Sequence, residues 1–212
     1  MSQAAPHFPS ETVHLVVVDP GVGTSRRAIL VEANRQLFVA PDNGVLSLVL
    51  QNCSHYRVRE LTNRALWLFS PSSTFHGRDI FAPVAAALAS GKAHPEDVGP
   101  VLEEVVFLPD LEPLSLGERS YKGIVLSVDR FGNVITNFSI ERYLLSLRAG
   151  VRLLAGSTVV DALQKTFADA RPGEIFVFPG SSGFLEIGMN QGSAAHVLGL
   201  AAGQSIQLNT PV

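Results

Sequence analysis

The stretch VHLVVVDPGVGTSRR, residues 13–27, decides how this chain is read. Its first half is a mainly apolar run rich in valine, which predicts a strand over residues 13–19. Its second half turns at Asp19-Pro20-Gly21 and delivers Arg26 and Arg27 to the start of a new apolar segment. An Asp-Pro-Gly at a strand end is by default only a turn, because Asp bonds its own backbone and Gly accepts positive φ. Two adjacent arginines are by default a solvated pair. A second cluster, TFHGRD over residues 74–79, lifts the reading above these defaults by setting His76 just ahead of a helical run. Asp19, Arg26 and His76 make an acid, a fixed cation and a titratable base. Such a set can hold and deprotonate a small nucleophile such as water: the carboxylate orients the imidazole or the water, and the guanidinium stabilises developing negative charge.

Outward from that stretch, residues 27–33 and 36–40 read as strands joined by a tight Asn34-Arg35 turn. PDNG at 41–44 opens a short helix over 45–51, and 55–61 reads as another strand. Asp79 is placed to cap a helix over 80–90 that stops at Gly91. His76 and Gly77 then lie just outside a helix N-terminus, where free N–H groups and the positive dipole end favour an anion. Residues 108–114, LPDLEPL, have no clean period and mark a boundary. Beyond it strands are predicted at 123–129, 134–138, 151–154, 174–178, 184–188 and 205–209, with short helices at 140–147 and 194–198. The expected architecture is an α/β domain over residues 1–113, followed by a small, mainly β, barrel-like domain over 114–212.

Composition narrows the function classes. The chain has 212 residues, 46% hydrophobic and 17% charged, which indicates a globule with a real core. A formal net charge of -3 leaves no basic stripe to follow a phosphate backbone, so a nucleic-acid partner is disfavoured. The single cysteine, Cys53, excludes an internal disulfide framework and a Cys-based zinc cluster, and reads as a reduced thiol. No apolar run approaches the roughly 20 residues of a membrane helix, and the opening residues lack the pattern of a signal peptide, so a cytoplasmic location without a membrane partner is expected. Neither a Walker spacing nor a dinucleotide fingerprint occurs, which disfavours ATP and NAD enzymes.

Two loops of the second half can carry chemistry. Asp129-Arg130-Phe131-Gly132-Asn133 is by default a tight hairpin. Its functional reading is a pocket for a small planar, amine-bearing ligand: Phe131 stacks on a ring, Asn133 bonds a base edge, and Asp129 accepts from an ammonium. In the other loop, Pro179-Gly180-Ser181-Ser182-Gly183 leads into a strand that sets Phe184 and Glu186 on one face.

VHLVVVDPGVGTSRR, PDNG, TFHGRDIFAPVAA, VDRFGNVITN and SSGFLEIGMNQGSAA, in this order from about Phe8 to the C-terminus, resemble the S-adenosyl-L-methionine hydroxide adenosyltransferases, a family related to the bacterial fluorinase and chlorinase. The resemblance implies an α/β domain and a small β-barrel, assembled as homotrimers whose active sites lie between the first domain of one subunit and the second of its neighbour. It implies catalytic roles for Asp19, Arg26 and His76. Substrate contacts carry over onto Asp129, Phe131, Asn133, Ser181 and Glu186, and onto Met189 through its backbone. The family opens with a further strand and an Asp-Phe-Gly segment whose Asp grips the ribose hydroxyls. This sequence starts downstream of that segment, which implies a truncated chain or another polypeptide that supplies the contact. Ser193 stands where the family implies Asn. The implied reaction is hydrolysis of S-adenosyl-L-methionine to adenosine and L-methionine, by attack of water on C5′, with no cofactor and no metal. Two alternatives stay open. One is a halogenase forming 5′-chloroadenosine, in whose relatives tyrosines stand at the positions of Asp19 and His76. The other is a non-catalytic nucleoside-binding or assembly protein.

Overall fold

The computed structural model describes residues 1–51, 53–148, 150 and 152–210. They form two compact units, Met1–Pro109 and Asp110–Val212, divided inside the proline-containing stretch.

The first unit is built on a five-stranded sheet of β1 (Val13–Leu15), β2 (Ala28–Ala33), β3 (Gln36–Pro41), β4 (Tyr56–Glu60) and β5 (Val101–Leu102), in the order β1-β3-β2-β4-β5. β1 runs parallel to β3 and the other pairings are antiparallel. Strand alternation divides the core between the two faces. Ile29, Val31, Phe38 and Val58 pack against Val49 and Leu50 of the one-turn helix α1 (Ser47–Leu50). Leu30 and Val39 face Ile80, Phe81, Val84, Ala85 and Leu88, on and just before α2 (Ala82–Ala89).

β1 is shorter than the apolar run predicts, for a reason that lies in its partner. The ladder runs through Leu37 N to Thr12 O at 3.0 Å and Val16 N to Val39 O at 2.9 Å. The next donor in that alternation is residue 41, a proline with no N–H. The Asn43 side chain takes over beyond it, donating to Val18 O at 2.9 Å.

The second unit has β6 (Leu114–Gly117), β7 (Ser120–Val128), β8 (Val134–Ser139), β9 (Arg152–Ala155), β10 (Thr158–Val160), β11 (Ile175–Pro179), β12 (Phe184–Met189) and β13 (Ser205–Asn209). Seven of them follow the order β10-β9-β13-β7-β8-β12-β11, with β6 paired to β7. The two ends of this antiparallel sheet are drawn together where Val177 N bonds Ala162 O at 2.8 Å and Gln164 N bonds Val177 O at 3.0 Å. The result is a nearly closed, barrel-like sheet around Val125, Val134, Phe138, Leu153, Leu185, Ile187, Ile206 and Leu208. Helices α3 (Ile140–Arg148) and α4 (Ala194–Leu198) accompany it. The start of the strand predicted at 151–154 lies outside the described residues. The short strands β5, β6 and β10 were not predicted; β6 is exposed along its whole length, so burial left no pattern in its sequence.

Candidate active site

Past β1 the chain bends through Pro20 to Gly23, where Thr24 N and Thr24 Oγ1 bond Gly21 O at 3.1 and 2.7 Å. Gly23 has φ +81°, and a side chain there would come within 2.8 Å of Ser73 O, so the turn needs glycine for both backbone angle and space. The turn folds Arg26 back onto Asp19. Arg26 Nε donates to Asp19 Oδ1 at 2.9 Å and Nη2 donates to Oδ2, a two-pronged pair whose side chains are 10% and 6% exposed. The default of a solvated arginine pair therefore fails for Arg26. Arg27 points elsewhere, bonding Asp42 Oδ2 at 2.8 Å and Glu104 O at 3.1 Å, and anchors the PDNG loop.

The second cluster meets the first through His76. Arg26 Nη2 lies 2.8 Å from His76 Nδ1, and its guanidinium stands 5.1 Å from the centroid of Phe81. A guanidinium can only donate, so Nδ1 is the acceptor and the neutral imidazole carries its proton on Nε2. The sequence expectation placed Asp19 against the imidazole or the water. The structure instead gives Asp19 to Arg26, and Arg26 to His76.

The helix start also differs from expectation. Asp79 is not a cap: the helical turn begins at Gly77 with His76 in the cap position, and Ala82 N bonds Gly77 O, five residues back. Such wide turns are rare and recur at functional sites. His76 leaves its ring free of any capping bond, available to Arg26.

In the second unit, the hairpin between β7 and β8 is both the tight turn and the wall of a cleft. Asp129 Oδ1 accepts from Phe131 N at 2.8 Å and Asn133 N at 2.9 Å, while Oδ2 accepts from Asn133 Nδ2 at 2.9 Å. Gly132 has φ +84°, and any side chain on it would run into Ser193, the cap of α4. Phe131 is thereby held exposed, over a cleft of about 390 Å³ that it shares with Asn133, Phe167, Met189, Gln191 and Gly192. That volume suits a flat heterocycle. Phe167 was missed in the sequence. Its signal was the Thr166–Asp169 spacing, since Asp169 Oδ2 accepts from both Thr166 N and Thr166 Oγ1 and fixes the turn that carries the ring.

Glu186, on β12, is buried and accepts from Ser182 Oγ at 2.8 Å. Ser182 is thus the serine brought to Glu186, whereas Ser181 is exposed at the loop tip. Burial pushes the Glu186 carboxyl up, the Ser182 bond opposes this, and the charge of Asp129 adds to the rise. A carboxyl raised on folding contributes stability that is full at low pH and is lost as pH rises through its folded value. Glu186→Gln is therefore expected to raise the melting temperature at neutral pH, with the gain vanishing below about pH 4, where Glu is protonated in both states. Melting curves across that range check it, and a gain that grows on acidification would reverse the sign.

A larger cleft, of about 760 Å³, lies in the first unit among residues 32–37, 88–89 and 93–95, and holds neither Asp19, Arg26 nor His76. Among the described residues, no group of three or more His, Cys, Asp or Glu is placed to hold a metal ion. No helix among them is long and apolar enough to cross a membrane.

An acid–cation–base cluster in one unit and a heterocycle-sized aromatic cleft in the other belong to a two-domain enzyme acting on a small organic substrate. Residues 1–99 match the SAM hydroxide adenosyltransferase N-terminal domain and residues 123–207 match the C-terminal domain, so the chain belongs to the SAM hydroxide adenosyltransferase family. It is 42% identical to the (R)-S-adenosyl-L-methionine hydrolase of Salinispora tropica, over 98% of this chain and 78% of that protein. A crystal structure of an uncharacterized conserved protein from Thermotoga maritima is similar with a TM-score of 0.87 and 44% identity, over 98% of this chain and 80% of that one. The fluorinase of Actinopolyspora mzabensis is 29% identical over 95% of this chain and 78% of its own length.

Proposed function

We propose that this protein hydrolyses S-adenosyl-L-methionine to adenosine and L-methionine, with Arg26 and His76 as the groups that generate the nucleophile. The observation that carries this is the contact of Arg26 Nη2 with His76 Nδ1, braced by Asp19. A water that replaces the direct Arg26–His76 bond accepts from the guanidinium and donates to the single lone pair of Nδ1. His76 takes its proton, the oxygen attacks C5′ in line, and the C5′–S bond breaks with its electron pair left on sulfur. The sulfonium becomes a neutral thioether, so departure needs no acid. One proton passes from His76 to solvent, which balances the reaction. Guanidinium charge stabilises the nascent hydroxide, and Asp19 keeps the guanidinium in place.

In this reading adenine stacks on Phe131 and bonds Asn133, with Met189 contributing its backbone. Asp129, Ser181 and Glu186 serve the polar end of the methionine. No cofactor is required, because the substrate already carries an activated leaving group. We further infer a cytoplasmic homotrimer in which Asp19, Arg26 and His76 of one subunit serve the cleft of a neighbour, in line with the family resemblance. The relatives' name points to the (R) epimer at sulfur as the preferred substrate. The competing reading, halogenation, is disfavoured by His76: a proton acceptor beside the nucleophile serves water and has no part with a halide, which carries no proton to remove. Incubation with S-adenosyl-L-methionine, with and without chloride, separates the readings. Adenosine and methionine in both mixtures support hydrolysis, 5′-chloroadenosine replaces that assignment, and unchanged substrate removes both.

A further inference from the structure

Asp79 is buried, yet the scheme above gives it no part. Two features of the local sequence aim it at the segment before His76. Pro83 has no N–H to offer the carbonyl four residues back, and that carbonyl, Asp79 O, accepts from Leu68 N at 2.8 Å. The carboxylate accepts from Ser72 N at 2.7 Å and from Arg78 Nε and Nη2 at 2.5 and 3.1 Å. Arg78 is 64% exposed, so the ion pair is screened and weak, whereas the part-buried bond from Ser72 N–H ties the carboxylate to the segment that precedes His76. One residue on from Ser72, the Ser73 carbonyl abuts Gly23, in the turn that brings Arg26 onto Asp19. Asp79 therefore holds one segment by its main chain and its side chain, and that segment braces the turn on which the Arg26–His76 contact depends.

We propose that Asp79 is a positioning residue of this site, setting the Asp19–Arg26 turn against His76 through Ser72 and Ser73. The proposal rests on the hydrolase reading for its activity readout alone. Its carboxyl is held below the usual range, chiefly by Arg78 and then by Ser72 N–H, which keeps it an acceptor.

The test uses Asp79→Ala and Asp79→Asn in the full chain, with Asp79→Ser replacing the first should it not fold. Asn still offers an oxygen to Ser72 N–H, and Ala offers none. Asp79→Ala is expected to lower kcat about 10²-fold, as a displacement near 1 Å does, while KM stays within about threefold. Asp79→Asn is expected to recover most of the loss. Amide exchange should quicken over residues 68–75 in Asp79→Ala and stay unchanged in β2 and β3, and the imidazole nitrogen signals of His76 should move. Wild-type kcat with a loosened segment overturns the proposal, as does an Asn variant as impaired as Ala. Should the wild-type chain not turn over S-adenosyl-L-methionine, the hydrolase reading fails separately. Exchange and the His76 signals then decide the positioning role, and both unchanged in Asp79→Ala would reject it.

Discussion

His76→Ala is expected to lower kcat for S-adenosyl-L-methionine hydrolysis by about 10²–10⁴-fold, the range for loss of a general base, with KM little changed. The reason is specific to one atom. Nδ1 carries the one free lone pair of the imidazole, which accepts from Arg26 in this structure and receives the water's proton once water takes the place of that bond. His76→Gln separates base from brace, because its carbonyl can accept from Arg26 but cannot take up a proton at working pH. Both variants should be impaired alike. A Gln variant with near-normal kcat would make His76 a hydrogen-bond acceptor and nothing more.

Arg26→Leu is expected to reduce kcat about 10²–10³-fold, as loss of a donor to a developing oxyanion does, and also to destabilise the first unit by about 3–5 kcal/mol. The second effect follows from burial: Asp19 stays in a side-chain environment 6% exposed with its two guanidinium donors gone. The double variant Asp19→Leu/Arg26→Leu should recover much of the stability, since it leaves no unpaired charge, and none of the activity. Denaturation and single-turnover rates on the single and double variants separate the terms. A double variant as unstable as Arg26→Leu would mean that packing against Phe81, rather than charge pairing, holds the turn.

The core of the first unit was legible because β2 alternates, Ile29 and Val31 to one face and Leu30 to the other, and burial writes that period into the sequence. The end of β1 was not. It depends on Pro41 of another strand, which a reading of residues 13–19 in isolation does not weigh. Arg26 and Arg27 look equivalent as letters, yet one folds onto Asp19 and the other reaches Asp42. The difference is made by the Gly23 turn packing on Ser73, a contact across fifty residues. Asp79 matched a cap by its place before an apolar run. The wide turn beginning at Gly77 moved the helix start upstream and left its carboxylate to bind Ser72 instead. In the second unit the hairpin residues Asp129, Phe131 and Asn133 were legible as a group, because a short loop fixes its own geometry. Phe167 reaches the same cleft from another part of the chain, so the spacing that flags its turn could not say what the turn faces.

In the proposed mechanism, water activated between Arg26 and His76 attacks C5′. A single-turnover reaction in ¹⁸O-water, with adenosine analysed by mass spectrometry, addresses it directly. Adenosine is expected to carry one label on its 5′-oxygen, and the methionine carboxylate none. Adenosine without label, or a halogenated nucleoside as the main product in the presence of chloride, would contradict it.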